Sequence, residues 1–135
     1  MTLPAQGGCA CGSIRYELTA APLSSAYCHC RMCQRAAGAA LVPWIAVPKE
    51  SFSLIQGELK TRQSSAWAER SFCPECGTQI TFWNENHPNT LDITLASLDD
   101  PDLYPPQDQI FAESRPHFLK EFDQELPVRT YNQNG

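Results

Sequence analysis

The chain has 135 residues, 42% apolar and 19% charged, with a formal charge of −5. That length and apolar share suit one ordinary domain with its own core, expected over residues 1–135. The acidic balance and the absence of any basic run exclude a role built on neutralising phosphates, so no nucleic-acid partner is expected.

The opening Met1-Thr-Leu-Pro-Ala-Gln carries neither a basic region nor an apolar stretch. No later span approaches the length needed to cross a bilayer, so no membrane partner is expected. The expected location is the cytoplasm, a reducing compartment that leaves clustered cysteines available as metal ligands.

Cys9-Ala-Cys11-Gly12 comes first among the cysteine segments, read as an extended piece whose residues i and i+2 point to one face. Ser13-Ile-Arg-Tyr-Glu-Leu alternates polar and apolar residues, as a half-buried strand does. Cys28-His-Cys30-Arg-Met-Cys33 follows, and Arg31 to Ala37 is the best helix candidate, stopped by Gly38. Ala40-Leu-Val-Pro-Trp-Ile-Ala-Val is apolar enough for a buried strand, with Pro43 expected at an edge or bulge. Phe52-Ser-Leu-Ile and Lys60-Thr-Arg-Gln-Ser are strand candidates on either side of a turn at Gly57. Cys73-Pro-Glu-Cys76-Gly77 has the form of a zinc knuckle, with glycine supplying the positive φ such a turn needs. Thr78-Gln-Ile-Thr-Phe-Trp and Thr90-Leu-Asp-Ile-Thr-Leu alternate clearly across a loop at Asn84–Asn89. Gln109-Ile-Phe-Ala-Glu-Ser is a further short strand candidate, and prolines make the last third rich in loops. The whole reads as an all-β domain with little helix, pinned by metal.

Seven cysteines in three tight clusters are the sequence form of chelation, since ligands two or three residues apart reach one ion from a single turn. The odd count argues against complete disulfide pairing. Four thiolates (Cys9, Cys11, Cys73, Cys76) close a structural zinc site. Three (Cys28, Cys30, Cys33) leave one coordination position open, as catalytic zinc sites do. His29 lies between two of these ligands, where coordinating the same ion is awkward. A thioredoxin-like role for Cys73 and Cys76 would need a following helix, whereas the residues after Gly77 read as strand. The open position suits a substrate thiol, because zinc accepts a fourth sulfur.

Gly7-Gly-Cys-Ala-Cys-Gly-Ser-Ile-Arg-Tyr-Glu, Cys28-His-Cys-Arg-Met-Cys-Gln-Arg-Ala-Ala-Gly-Ala and Arg70-Ser-Phe-Cys-Pro-Glu-Cys-Gly-Thr stand in this order, followed by Leu98-Asp-Asp-Pro and Ile110-Phe-Ala-Glu-Ser-Arg-Pro. Together they resemble the glutathione-dependent formaldehyde-activating enzyme family, also named for centromere protein V, over roughly Gly7 to Pro127. The resemblance implies a β-tent of small stacked antiparallel sheets, grouped with Mss4-like folds. It implies the same four-plus-three division of the cysteines, with Cys28, Cys30 and Cys33 as the catalytic set. It also implies a carbon–sulfur lyase acting on a glutathione-like thiol and an aldehyde. Gln109 departs from the family, whose members often carry histidine there, and the chain is shorter than the name-giving enzymes.

Glutathione would want cations near the open site, and Arg31 and Arg35 flank the trio, unless both are solvated helix residues. Arg15 and Arg70 are expected to pair with strand neighbours. Trp44 and Pro43 read as core or as a pocket wall, Trp67 as more exposed, Trp83 as core or edge packing, and His87 and His117 as surface residues. Two other functions compete with the enzyme. One is a non-catalytic zinc-binding module for a protein partner, which would show a large exposed apolar patch. The other is a thiol-based sensor whose trio oxidises reversibly.

Overall fold

In the computed structural model, which describes residues 3–121 and 126–127, ten strands build two sheets. The smaller is antiparallel. Its strands are β1 (Ala5–Gly8), β2 (Arg15–Leu18) and β5 (Phe52–Gln56), with β2 in the middle. The larger sheet contains β3 (Ser24–Cys28), β4 (Val42–Pro48), β6 (Lys60–Ser65), β7 (Ala68–Phe72), β8 (Gln79–Asn84), β9 (Thr90–Thr94) and β10 (Asp108–Ile110). Its order is β10–β3–β4–β9–β8–β7–β6. Every pairing in it is antiparallel except β10 with β3, which is parallel. One α-helix, α1 (Arg31–Ala37), follows β3. The mostly-β expectation holds, and the helix occupies the expected residues.

Alternation decides what each sheet buries. In β2, Tyr16 and Leu18 are fully enclosed while Arg15 and Glu17 lean outward. They meet Ile45, Val47, Leu91 and Ile93 from β4 and β9, and this layer between the two sheets is the main core. Tyr16 stacks on Phe52 at 5.2 Å between ring centroids, and its hydroxyl bonds Ser97 at 2.7 Å. The opposite face of β4 and β9 carries Trp44, Ala46 and Asp92, and it turns toward the functional region.

Three local expectations change. Pro43 lies in a central strand, not at a sheet edge. The β4–β9 ladder begins only at Trp44 opposite Thr94, so the missing proline N–H falls where β9 has already ended. The strands on either side of Gly57 enter different sheets, because the turn there (φ +83°) sends the chain across from one layer to the other. The strand expected over Gln109–Ser114 stops at Ile110. Phe111 adopts φ +54° and a short 3₁₀ turn, Ala112–Ser114, follows.

Candidate metal centres

The first cysteine group forms at the tips of two hairpin-like loops. Between β1 and β2, the Cys9 amide bonds the Ile14 carbonyl and the Gly12 amide returns to the Cys9 carbonyl, both at 3.2 Å. This is a turn, not the extended segment expected from the C-x-C spacing. Its closure brings the Cys9 and Cys11 sulfurs to 3.5 Å. Between β7 and β8 the same arrangement recurs. The Cys73 amide bonds Thr78 and the Gly77 amide bonds Cys73, both at 2.9 Å, with Gly77 at φ +82°. Amides aim at the sulfurs as a knuckle requires: Ile14 N–H to Cys9 Sγ at 3.2 Å and Cys76 N–H to Cys73 Sγ at 3.4 Å.

All four sulfurs lie within 4.8 Å of one another, and Cys11 Sγ is 3.8 Å from Cys73 Sγ. Ligand sulfurs on a tetrahedral ion with bonds of about 2.3 Å sit about 3.8 Å apart, so this group can hold a metal ion. Outer partners support it. The Thr78 hydroxyl accepts from the Ala10 amide at 3.1 Å and faces Cys76 Sγ at 3.2 Å, and its hydroxyl and amide hold the Cys76 thiol down at about 5. The Ser13 hydroxyl stands 3.1 Å from Cys11 Sγ and 3.2 Å from Cys73 Sγ.

The second group is built at a strand-to-helix junction. Cys28 ends β3, Cys33 lies in the first turn of α1, and Cys30 between them is the helix N-cap, its sulfur accepting the Cys33 amide at 3.2 Å. The amide at that position lowers the Cys30 thiol, but burial and the neighbouring Cys33 thiol outweigh it and push Cys30 up. The three sulfurs also lie within 4.8 Å of one another, with Cys28 and Cys33 buried and 3.6 Å apart. The Cys28 thiol and then the Arg70 guanidinium hold Cys33 down at about 5. The same bond, with burial, pushes Cys28 well up.

Arg70 is 3% exposed. Its Nη2 donates to Cys33 Sγ at 3.4 Å, its Nη1 donates to Gln79 Oε1 at 3.2 Å, and its guanidinium lies 4.7 Å from the Phe82 ring centre. The strand-neighbour expectation is therefore half of its role. Arg15 instead reaches Asp99 with two bonds of 2.9 and 2.5 Å. Arg31 is tied to Gln34 on α1, Arg35 is exposed, and neither lines the cavity described next. His29 is 1% exposed and faces away from the trio, its Nε2 2.8 Å from Gln109 Oε1, while Gln34 donates to its carbonyl at 2.8 Å. It joins neither metal-capable group among the described residues.

The trio forms the base of a 580 Å³ cavity. Much of its wall is one face of the seven-stranded sheet: Ala26 of β3, Trp44 and Ala46 of β4, Asp92 of β9, Phe82 and Asn84 of β8, Arg70 of β7. Trp44 and Phe82 contact each other with centroids 6.1 Å apart, so Trp44 is both core and wall. Met32, Trp67, Ile110 and Phe111 form an exposed apolar rim. Asn86 and His87 complete the polar end, where burial pushes the Asp92 carboxyl up to about 6. Trp83 packs against the main core on the other side, under Lys49, and His117 is exposed and outside the cavity.

Sequence reasoning missed the cavity roles of Arg70, Phe82 and Asp92. All three point inward by simple alternation on β7, β8 and β9, but β7 reads as polar because its inward residues are Ala68 and Arg70.

The model of the glutathione-dependent formaldehyde-activating enzyme family matches residues 4–114. The chain belongs to that family. The fold is also similar to the crystal structure of a Rhodobacter sphaeroides protein, at a TM-score of 0.62 and 21% identity over 77% of this chain and 98% of that one. No helix among the described residues is long and apolar enough to cross a membrane.

Proposed function

We propose that this chain makes or breaks the carbon–sulfur bond of a thiol–aldehyde adduct, with the thiol held at zinc on Cys28, Cys30 and Cys33. The observation that carries the proposal is three converging sulfurs lining a largely apolar cavity. Cys9, Cys11, Cys73 and Cys76 form the closed, structural zinc site, because four thiolates leave no position for a substrate. Zinc bound at the trio supplies the charge that keeps a substrate sulfur as thiolate, which a free thiol of pKa about 8.5 is not at neutral pH.

The chain's own residues do the rest. Arg70 balances charge at Cys33 through its 3.4 Å bond. Trp44 and Phe82 keep water from the wall beside the sulfurs. The Asp92 carboxyl, pushed up to about 6 by burial, and His87 stand at the polar end of the cavity as proton carriers. The reaction balances without redox. In the forward direction the thiol sulfur bonds the carbonyl carbon, and the thiol proton ends on the carbonyl oxygen as a hydroxyl. Splitting the adduct returns both. A reducing cytoplasm is the compartment that keeps all seven cysteines free for these roles.

The exposed rim of Met32, Trp67, Ile110 and Phe111 is also what a zinc module for a protein partner would present. That reading leaves the chamber behind the rim without a use. The test is zinc per chain, by elemental analysis under reducing conditions, on the wild type and Cys30→Ser. It is paired with the exchange rate between thiol, formaldehyde and adduct measured by NMR. Two zinc ions falling to about one, with loss of accelerated exchange, supports the enzyme. One zinc in both proteins, or no acceleration by a two-zinc wild type, sinks it.

A further inference from the structure

We infer that Asp92 reads a positively charged amino group on the substrate, so that this cavity takes an ammonium-bearing thiol with its sulfur at the trio and its nitrogen at the carboxylate. The inference rests on the trio holding a substrate sulfur, and it follows from one row of residues across the sheet. Arg70 of β7 stands opposite Phe82 of β8, Phe82 opposite Asp92 of β9, and Asp92 opposite Ala46 of β4. All four line the cavity. Neighbouring strands lie about 4.8 Å apart, so about 10 Å of sheet separates Asp92 from Arg70, whose guanidinium is on Cys33. The sulfurs and Asp92 thus belong to different parts of one cavity, and the amino group that Asp92 meets is several bonds from the thiol.

Asp92 has no partner of its own. Among the described residues its carboxylate takes part in no ion pair and no hydrogen bond, and burial, then the Cys33 charge, push it up. Arg70, the one Lys or Arg that lines the cavity, is committed to Cys33, to Gln79 and to the face of Phe82. A carboxylate left unpaired against Trp44, Phe82 and Ala46 is costly, and a cation that arrives with the substrate removes that cost. The charges agree. A divalent ion on three thiolates carries about −1, and a substrate thiolate takes it to about −2. With Arg70 and an ionised Asp92 the total stays at about −2, and a substrate ammonium returns it to about −1. An uncharged thiol brings no such balance. Donors stand at the same end: Asn84, Asn86 and His87 line the cavity there. Asn84 Oδ1 already accepts the Asn86 N–H at 3.0 Å, which leaves the Asn84 amide NH₂ to donate. Carboxylate and donors together suit the ammonium and carboxylate of an amino-acid head. With Asp92 paired to the ammonium, His87 is the group left to carry the proton.

The experiment titrates protein loaded with two cobalt(II) ions per chain, separately with glutathione and with N-acetylglutathione, which keeps the thiol and both carboxylates but has no ammonium. Each titration follows the sulfur-to-cobalt charge-transfer band, which reports binding without turnover. Hydrogen bonds to a charged group correspond to about 10–100-fold in affinity, and half-saturation is expected to be lower for glutathione by about that factor. Asp92→Asn is expected to weaken glutathione until the two thiols differ by less than about threefold. N-acetylglutathione should bind the variant no more weakly than it binds the wild type, which also shows the variant to be folded. Equal half-saturation in the wild type overturns the inference and leaves the thiol-holding site intact. A gap that persists in Asp92→Asn comes from the bulk of the acetyl group and overturns the role given to Asp92. A band unchanged by either thiol overturns this inference and the thiol-holding site together.

Discussion

Arg70→Met tests how much of the trio's metal affinity comes from outside its ligands. The substitution keeps an unbranched apolar stem under Phe82 and deletes the bonds to Cys33 (3.4 Å) and Gln79 (3.2 Å). A hydrogen bond to a charged group contributes about 1.5–3 kcal/mol. Loss of an outer-shell partner typically weakens metal binding about 10–100-fold, which corresponds to about 1.4–2.7 kcal/mol. The two estimates agree, so the expected loss is 10–100-fold, confined to the trio. Competition against a chromophoric chelator resolves the two ions as separate steps. The weaker should shift in Arg70→Met while the tighter, on the four-cysteine group, stays put. Arg70→Lys should fall between wild type and Met, since a lysine keeps the charge but cannot bond sulfur and amide from one planar fork. Unchanged affinity at both steps in a folded Arg70→Met protein would falsify the role given to this guanidinium.

Cys73→Ser should cost far more than Cys30→Ser, because its site ties the β1–β2 loop to the β7–β8 loop. Loss of cooperative thermal unfolding, or a fall in Tm above about 15 °C, is expected, and near wild-type melting would refute the structural assignment. Asp92→Asn should stabilise the protein at neutral pH. Burial raises the folded-state pKa from 3.8 to about 6, so the folded chain holds the extra proton and the carboxyl's stability contribution is lost as pH rises through that window. Urea unfolding should show the variant gaining somewhat less than about 1.4 kcal/mol between pH 5.0 and 7.5, the full linkage value discounted for partial exposure, and a pH-independent difference counts against it. Gly57→Ala should lose more than about 2 kcal/mol, since the position has φ +83° and a Cβ would sit 2.3 Å from the Ser13 carbonyl. Gly77→Ala, at φ +82° but with open space around it, should lose only about 1 kcal/mol by the same urea assay.

The cysteine groups were legible because chelation is local: C-x-C, C-x-C-x-x-C and C-x-x-C each converge within one turn, whatever the rest of the chain does. The helix over Arg31–Ala37 was legible for the same reason, from Gly38 at its end, which the structure places at φ +62° with its amide on the Gln34 carbonyl. The strands with apolar inward faces, such as Arg15–Leu18 and Thr90–Thr94, announced themselves by alternation. β7 and β3 did not, because their inward sets are Ala68 with Arg70 and Ser24 with Ala26 and Cys28. No hydrophobic pattern marks residues that face a cavity instead of the core. The positions of Arg31 and Arg35 misled in the opposite sense. Nearness along the chain placed them beside the trio, while register across the sheet brought Arg70 to it from 37 residues away.

On the proposed reading, the same ligand chemistry serves two ends because the two groups sit at different depths. The four-cysteine site lies at loop tips, with Cys11 and Cys76 exposed and hydroxyls of Ser13 and Thr78 at the sulfurs, so its charge is stabilised locally by polar neighbours and water. The trio lies where β3 meets α1, beneath a sheet face of Trp44, Phe82 and Ala46, with its charge balanced by one buried guanidinium. Electrostatic interactions there are screened less, so a change in charge at the sulfurs is felt more strongly at Arg70 and Asp92 than it would be at the loop tips. A site built only to hold the fold gains nothing from that arrangement, since burial raises the cost of every thiolate it needs. An apolar pocket around an incomplete ligand set is costly for a structural ion and useful for a transient one-sulfur occupant. That asymmetry between depth and ligand count is the physical ground for assigning chemistry to the trio.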